Sequence, residues 1–421
     1  MMRQTPFGYP WPGGPFIDQD EARLVVEVLA ARSPSRFFGV APLHLCDRFE
    51  KEFSAQVGAR YGVAVGSGTG ALHVALTALG LGPGQEAIIP AYLWVSVAAA
   101  VVQRGAIPVL CEVDDSYCLD PADVRRKLTP RTRVIIHIHM SGATGNLQEV
   151  RAIARQHGAA LLEDCAQAVG GSYKGRPLGS FGDLAIFSFQ HSKALSTGEG
   201  GMVVTSDHTL YKRCQAAYDV GHSVDFERGG APTVLWGLGT VMTELQAALG
   251  LVQLRKLPAI TGAMRAAKRR LREQLSLIPG LALRRLEDPH GDNGSFLLTR
   301  YPDAATAAAM ARRLVELGLV CGPHGQLVHY LPDWGFHIYS NIQQLTRKLS
   351  NSPDGFPWTH PENRAAPASY DKGTLPRSDE LFARSVLQAV PSDTTAEDAE
   401  DMIRIYKQAA AELIPGTREQ T

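Results

Sequence analysis

From about residue 60 to residue 205, short runs of Val, Ile, Leu and Ala alternate with stretches whose apolar residues recur every three or four positions. Runs with no polar alternation are strands buried on both faces, and the helical stretches between them are crossovers. The pattern therefore calls for a doubly wound, mostly parallel sheet between two helical layers, an α/β architecture. Seven strands are expected, near 62–65, 86–90, 107–113, 134–137, 160–163, 184–187 and 202–205, with crossover helices such as 71–79, 95–104 and 147–157. Ligands of such sheets sit beyond the carboxyl ends of the strands, so the residues that terminate each run matter most.

The rest of the chain changes character. A helical stretch over 244–254 and 261–275 leads away from the sheet, and Pro279-Gly280 marks a break. Strand candidates at 294–299 and 319–321 flank a helix at 304–317, and an amphipathic helix at 395–411 follows. Between them, residues 350–374 form a polar, Pro-rich stretch too long for an ordinary connection, so it is either mobile or functional. With 421 residues the chain exceeds the roughly 250 to 300 residues at which a single core stops growing. The expected division is 1–275, an N-terminal segment and the large domain, and 276–421, a smaller α+β domain.

The formal net charge is +0 and the pI is near 7.2, so no overall field draws the chain to nucleic acid or an anionic membrane. Any phosphate must be bound locally. The six cysteines contain no Cys-x-x-Cys pair, which argues against a zinc ribbon or a disulfide framework and for reduced thiols. Residues 1–16 are rich in Pro, Gly and aromatics and lack the apolar core of a signal peptide. A cytoplasmic location is expected.

Two strand ends carry the chemistry. Leu161-Leu162-Glu163-Asp164 stops at an acid, and Ala185-Ile186-Phe187-Ser188 stops at a hydroxyl and continues to Lys193 and Gly198-Glu199-Gly200-Gly201. A carboxylate at a sheet edge can keep a pyridine nitrogen protonated, and a lysine of depressed pKa can form a Schiff base and move protons. Together they suit pyridoxal phosphate. Asp164 also reads as a helix N-cap, and Lys193 as a surface charge before a tight turn. Gly66-Ser67-Gly68-Thr69-Gly70 joins a strand to a helix, where backbone N–H groups and the Ser67 and Thr69 hydroxyls make a phosphate cradle. A nicotinamide site is a weaker reading, because the spacing is not Gly-x-Gly-x-x-Gly and Glu86 begins a strand. Trp94 follows another strand end, where it could stack on a flat cofactor or fill core. His137 and His139 alternate on a strand without a carboxylate in step, so no metal site is expected.

Taken together, the chain resembles the sugar aminotransferases of the DegT/DnrJ/EryC1/StrS family, which share the aspartate aminotransferase fold (fold type I). The resemblance spans about residues 37–411. It rests on Ser67-Gly68-Thr69-Gly70-Ala71-Leu72, Pro90 to Trp94, His139-Met140-Ser141-Gly142, Glu163-Asp164-Cys165-Ala166-Gln167 and Ser188 to Gly201. It implies pyridoxal 5'-phosphate, with Lys193 as the Schiff-base lysine and proton carrier, and Asp164 as partner of the pyridine nitrogen. Gln167 would lie near the phenolic oxygen, Ser67, Gly68, Thr69, Gly70 and Ser188 around the phosphate, and Trp94 on the ring. It further implies a homodimer with active sites at the interface, an amino-acid donor such as glutamate, and a keto or aldehydo sugar as acceptor, with no nucleic acid or membrane partner. Within the family, Tyr218-Asp219-Val220-Gly221-His222, Gly291-Asp292-Asn293-Gly294, Trp334 to Tyr339 and Leu375-Pro376-Arg377 are similar to enzymes that make 8-amino-octulosonate sugars. Aromatic and histidine side chains over 330–339 would suit the sugar.

One segment departs from the family. Members usually carry Gly-x-Asn-x-Arg before the Glu-Leu-Gln-Ala-Ala helix, and the asparagine reaches the phosphate of the neighbouring subunit's cofactor. Here Gly239 and Val241 replace asparagine and arginine. Another pyridoxal chemistry, such as dehydration, and a non-catalytic sugar binder therefore stay open. Retention of Lys193, where the dehydratases have histidine, favours transamination.

Overall fold

The computed structural model describes residues 5–221, 233–363, 367 and 369–415. Strands β1 (Tyr61–Val65), β2 (Glu86–Pro90), β3 (Ile107–Cys111), β4 (Thr132–Ile138) and β5 (Ala160–Asp164) are followed by a small hairpin, β6 (Ser172–Tyr173) and β7 (Arg176–Pro177), and then by β8 (Leu184–Ser188) and β9 (Gly201–Thr205). All but the hairpin form one sheet, in the order β1-β9-β8-β5-β4-β2-β3. Only β9 runs against its neighbours. The seven expected strands are present with small shifts at their ends. β3 stops at Cys111, and Val113 makes an isolated bridge to Leu119 instead.

Helices α1 (Gln19–Ala30), α2 (Leu45–Gln56), α3 (Gly68–Ala78), α4 (Val95–Gln103), α5 (Pro121–Lys127), α6 (Leu147–His157) and α7 (His208–Tyr218) clothe this sheet. Successive strand side chains point to opposite faces, so neighbouring residues enter different cores. Val63, Ile89, Ile136, Leu162 and Ile186 pack with α3, α4 and α7. Ala64, Ile88, Ile135, Leu161 and Phe187 pack with α2, α6 and the long helix α8 (Glu244–Leu275). This is the doubly wound arrangement of fold type I.

α8 is a single helix of 32 residues that also runs through 255–260, the gap in the helical stretch read from the sequence. Pro258 cannot donate to the carbonyl four residues back, which normally kinks or ends a helix. Here Leu254, Leu257, Ile260 and Met264 are all buried on both sides of the proline, and the Thr261 hydroxyl donates to the Leu257 carbonyl at 2.9 Å. Packing holds the helix through the defect.

A second sheet contains β10 (Ala282–Leu283), β11 (Phe296–Arg300), β12 (Val328–Tyr330) and β13 (Ser385–Ala389), all paired antiparallel in the order β10-β11-β13-β12. Four helices complete the chain: α9 (Ala304–Glu316), α10 (Gln343–Thr346), α11 (Pro376–Ala383) and α12 (Ala396–Leu413). Leu314, Met402 and Tyr406 share a core with Leu271 and Leu275 of α8 and Leu297 of β11. The strand expected at 319–321 is absent. Leu319 and Cys321 are buried, but Gly322, at φ +75°, and Pro323 turn the chain into a 3-10 helix, and β12 takes the place in the sheet.

Between β12 and β13 the chain returns to the large sheet. Leu331, Ile338, Tyr339, Ile342, Leu345, Tyr370 and Phe382 join the α3 and α4 side of its core. The Pro-rich stretch is fastened there in its described part. Asn363 donates to the carbonyls of Gly105 and Pro357 and accepts from the Gly84 N–H, and the Tyr370 hydroxyl donates to the Pro108 carbonyl. Among the described residues, no helix is long and apolar enough to cross a membrane.

Candidate active site

The carboxyl ends of β4, β5 and β8 and the N-terminus of α3 surround a cavity of about 560 Å³. Ser67, Gly68, Thr69, Trp94, Asp164, Gln167, Ser188 and Lys193 all line it. Gly70 does not. Its N–H donates to the Ser67 hydroxyl at 3.0 Å, and a Cβ there would lie 2.3 Å from Thr240 Oγ1, so close packing explains this glycine.

Ser67 is the N-cap of α3, and its hydroxyl is engaged by Gly70. The Gly68 and Thr69 N–H groups belong to the first turn, which has no intrahelical acceptors, and they sit at the positive end of the helix dipole. Gly68 also lies against Ser188, since a Cβ added to it would be 2.7 Å from Ser188 Cβ. The arrangement suits a small phosphate ester.

Asp164 is buried at the end of β5, where its Oδ1 accepts the Ala166 N–H at 3.0 Å. Burial pushes its carboxyl upward, against the Ala166 N–H and the charges of Lys193 and His139. Next to it, Glu163 is wholly buried and accepts from the N–H groups of Gly179 (3.0 Å), Phe181 (2.7 Å) and Gly182 (2.6 Å). His139 Nε2 lies 2.9 Å from Glu163, and the His139 N–H donates to the Asp164 carbonyl at 3.0 Å. Burial would raise Glu163, but His139 and the N–H donors outweigh it and hold the carboxyl below its usual value. His139, Glu163 and Cys165 place ligand-type atoms within 4.8 Å of one another. Because Glu163 already accepts these four hydrogen bonds, the trio reads as a support beneath Asp164.

Glu163→Ala should therefore cost about 3 to 5 kcal/mol, because it strands three N–H donors in the core. Denaturant unfolding checks this. Sign follows from the depressed carboxyl: its contribution is full above the unfolded pKa and is lost as pH falls through the folded one. The difference between wild type and variant should shrink in acid.

Lys193 is half-buried, and burial lowers its pKa against the charges of Asp164 and Glu199. The amine is thus more readily neutral than a surface lysine. Opposite it stands an aromatic wall. Trp94 lies 4.7 Å from His337, which stacks on Trp334 at 3.7 Å and 8°. Burial first, and then the Lys193 charge, pushes His337 down to about 3, so its ring is neutral. His337 Nδ1 lies 3.1 Å from the Trp334 carbonyl and must carry the proton, which leaves Nε2 to accept from the Gln167 amide at 3.4 Å. Gln167 Oε1 in turn accepts the Ser141 N–H at 3.0 Å. Two backbone hydrogen bonds, Leu93 N–H to the His337 carbonyl and Tyr339 N–H to the Ala91 carbonyl, pin this wall to the end of β2.

Sequence reasoning placed His337 in a substrate region and quoted Glu199 without giving it a role, but missed Trp11 and Ser96; all four line the cavity. Trp11 arrives because Gly13 N–H donates to the Lys193 carbonyl at 3.0 Å, the Pro12 carbonyl accepts from Ser392, and Tyr9 hydroxyl lies 3.1 Å from His191 Nε2. The aromatic and proline content of the first sixteen residues was the available signal. Of the segments singled out for subgroup likeness, His222 lies outside the described residues. Gly239 has φ +62°, with open space beyond it, and Val241 bridges Val65.

Comparison with known proteins agrees with this fold. The profile of the DegT/DnrJ/EryC1/StrS aminotransferase family covers residues 35–353. A protein of Streptoalloteichus tenebrarius, provisionally described as an L-glutamine:3-amino-2,3-dideoxy-scyllo-inosose aminotransferase, is 32% identical over 327 residues, 77% of this chain and 78% of that one. Among solved structures, an aminotransferase from Psychrobacter cryohalolentis superposes with a TM-score of 0.78 at 26% identity, covering 95% of this chain and 98% of that chain. DesI, solved in the presence of its TDP-sugar product, gives 0.76 at 25% identity, covering 99% and 95%. With the family's profile matching residues 35–353 and a relative 32% identical across more than two thirds of both chains, the chain belongs to the DegT/DnrJ/EryC1/StrS aminotransferase family.

Proposed function

We propose that the protein is a pyridoxal phosphate-dependent aminotransferase that moves an amino group from an amino-acid donor to a keto or aldehydo sugar, long-chain or nucleotide-linked. The observation that carries this is the meeting of Lys193 and Asp164 in one cavity, each shifted by burial and each sensing the other's charge. The cavity fits the cofactor on its own terms: unpaired N–H groups and Ser188 for the phosphate, a buried acid for the ring nitrogen, a flat indole for the ring face and an amine of lowered pKa for the aldehyde. Bound there, pyridoxal phosphate supplies an electrophilic carbon and an electron-withdrawing ring that lets nitrogen leave one molecule and enter another.

The chain's residues then divide the work. Asp164 would supply the negative charge that keeps a ring nitrogen protonated. Lys193 would hold the cofactor through its amine and, as a free neutral amine, would carry the proton that transamination moves. Gln167 fixes the neutral His337 ring, Trp94 offers its indole to the cofactor ring, and His337 beside it faces a polyhydroxylated acceptor. Glutamate is the expected donor, and the relative's name brings L-glutamine beside it. Purified protein incubated with either donor and candidate carbonyl sugars should yield the corresponding oxo acid and an aminated sugar; neither product from any pair would overturn the reading.

The division at residue 275 and the homodimer belong to the same proposal. Trp236 is 94% exposed and Val234 67%, an apolar surface suited to a second copy. Gly239→Asn offers a test of the cross-subunit contact. Its left-handed backbone is one that asparagine tolerates, and no atom lies within 4 Å of the added Cβ. The variant should retain cofactor roughly tenfold more tightly if the side chain gains one charge-assisted hydrogen bond to a phosphate. Equal cofactor loss on dialysis would count against a phosphate in reach of residue 239.

A further inference from the structure

A second cavity, of about 380 Å³, lies along α8 and shares no lining residue with the first. Arg265, Lys268, Arg269 and Arg272 project into it at helical spacings of three and four, with His290 on the opposite loop. Behind them lies Arg284, buried, whose guanidinium donates to the carbonyls of Ser116, Met140 and Ala143 and, among the described residues, to no carboxylate. Acidic compensation is thin. Asp292 pairs with Lys268 and accepts the Gly294 N–H, and Glu273, exposed, is the other lining acid. Arg265 and Arg272 donate to the carbonyls of Asp292, Gly170 and Arg284 instead. Arg269 makes no ion pair among the described residues. Burial lowers the pKa of Arg265 and Arg272, and that of Lys268 to about 8, with Asp292 alone opposing in each case. Such an uncompensated cluster in a concave site is what a multivalent anion relieves.

We propose that this cavity is a binding site for a small phosphorylated compound, its phosphoryl group held by Arg269, Arg272 and Lys268. The volume exceeds what one phosphate fills, and Leu286 and Pro289 give the remainder an apolar wall for an organic part. The site adjoins the first cavity through single residues. Asn293, next to Asp292, donates to the Gln167 carbonyl at 3.0 Å, and Arg284 donates to the carbonyl of Met140, which lines that cavity.

The test is calorimetric titration of the cofactor-loaded protein with inorganic pyrophosphate, against sulfate at matched ionic strength. One saturable site per chain is expected for pyrophosphate, weakened at least tenfold by Arg269→Glu and by Arg272→Gln. Arg269 is exposed, so its variant tests the site without disturbing the core. No saturable binding, equal binding by sulfate, or affinity unchanged in Arg269→Glu would each overturn the proposal. Because the readout is binding, it stands or falls apart from transamination.

Discussion

Lys193→Ala is expected to abolish transamination, lowering kcat by at least about 10⁴-fold, and to remove any visible absorption band bound to the purified protein. A positioned base contributes roughly 10² to 10⁴, and here the same nitrogen is also the covalent anchor. Lys193→Arg should not rescue it. A guanidinium stays protonated at every working pH, whereas burial brings the lysine amine toward neutrality. For wild type, the limb of the pH–rate profile that belongs to Lys193 should rise with pH, because the working form is the neutral amine. Single-turnover kinetics on the variant check this; activity within tenfold of wild type would remove Lys193 from the mechanism.

Asp164→Asn should lower kcat by roughly 10² to 10³, the range for one lost electrostatic contact at a reacting centre. The shape of the side chain is kept, and only its charge is lost. Stability should move the other way. Burial raises the folded pKa of Asp164 above its unfolded value, so the group's contribution is full at low pH and falls as pH rises through the folded pKa. In cofactor-free protein at neutral pH, Asp164→Asn is therefore expected to melt no lower than wild type. Lost activity with an unchanged or higher Tm would separate a chemical role from a structural one. A large drop in Tm with proportionate loss of activity would contradict it.

The large sheet was legible because its strands are continuous buried runs, and two of them end on residues of the proposed site: Asp164 closes β5 and Ser188 closes β8, while Ser67 caps α3. Local signals of that kind need no knowledge of the rest of the fold. β13 was not legible. Ser385 and Gln388 break its apolar run, yet all five of its residues are buried at the middle of the small sheet, where tertiary packing overrides the polar spelling. The gap at 255–260 in α8 has the opposite reason, since Pro258 is a strong local stop that buried flanks on both sides overrule. Trp11 reaches the cavity from more than 150 residues before Lys193 in sequence, through backbone pairing that leaves no periodicity to read. Gly70 is the converse case, a glycine read as part of the cradle whose N–H is taken up by the Ser67 hydroxyl and whose missing Cβ leaves room for Thr240.

The two backbone hydrogen bonds that tie residues 337–339 to the end of β2 have a consequence for how a substrate enters and leaves. Although this segment is threaded between two strands of the small sheet, the imidazole it carries is moored to the large one. Should the small sheet swing during turnover, His337 and Trp94 would stay behind as a stationary jamb, and the door would have to be hung elsewhere.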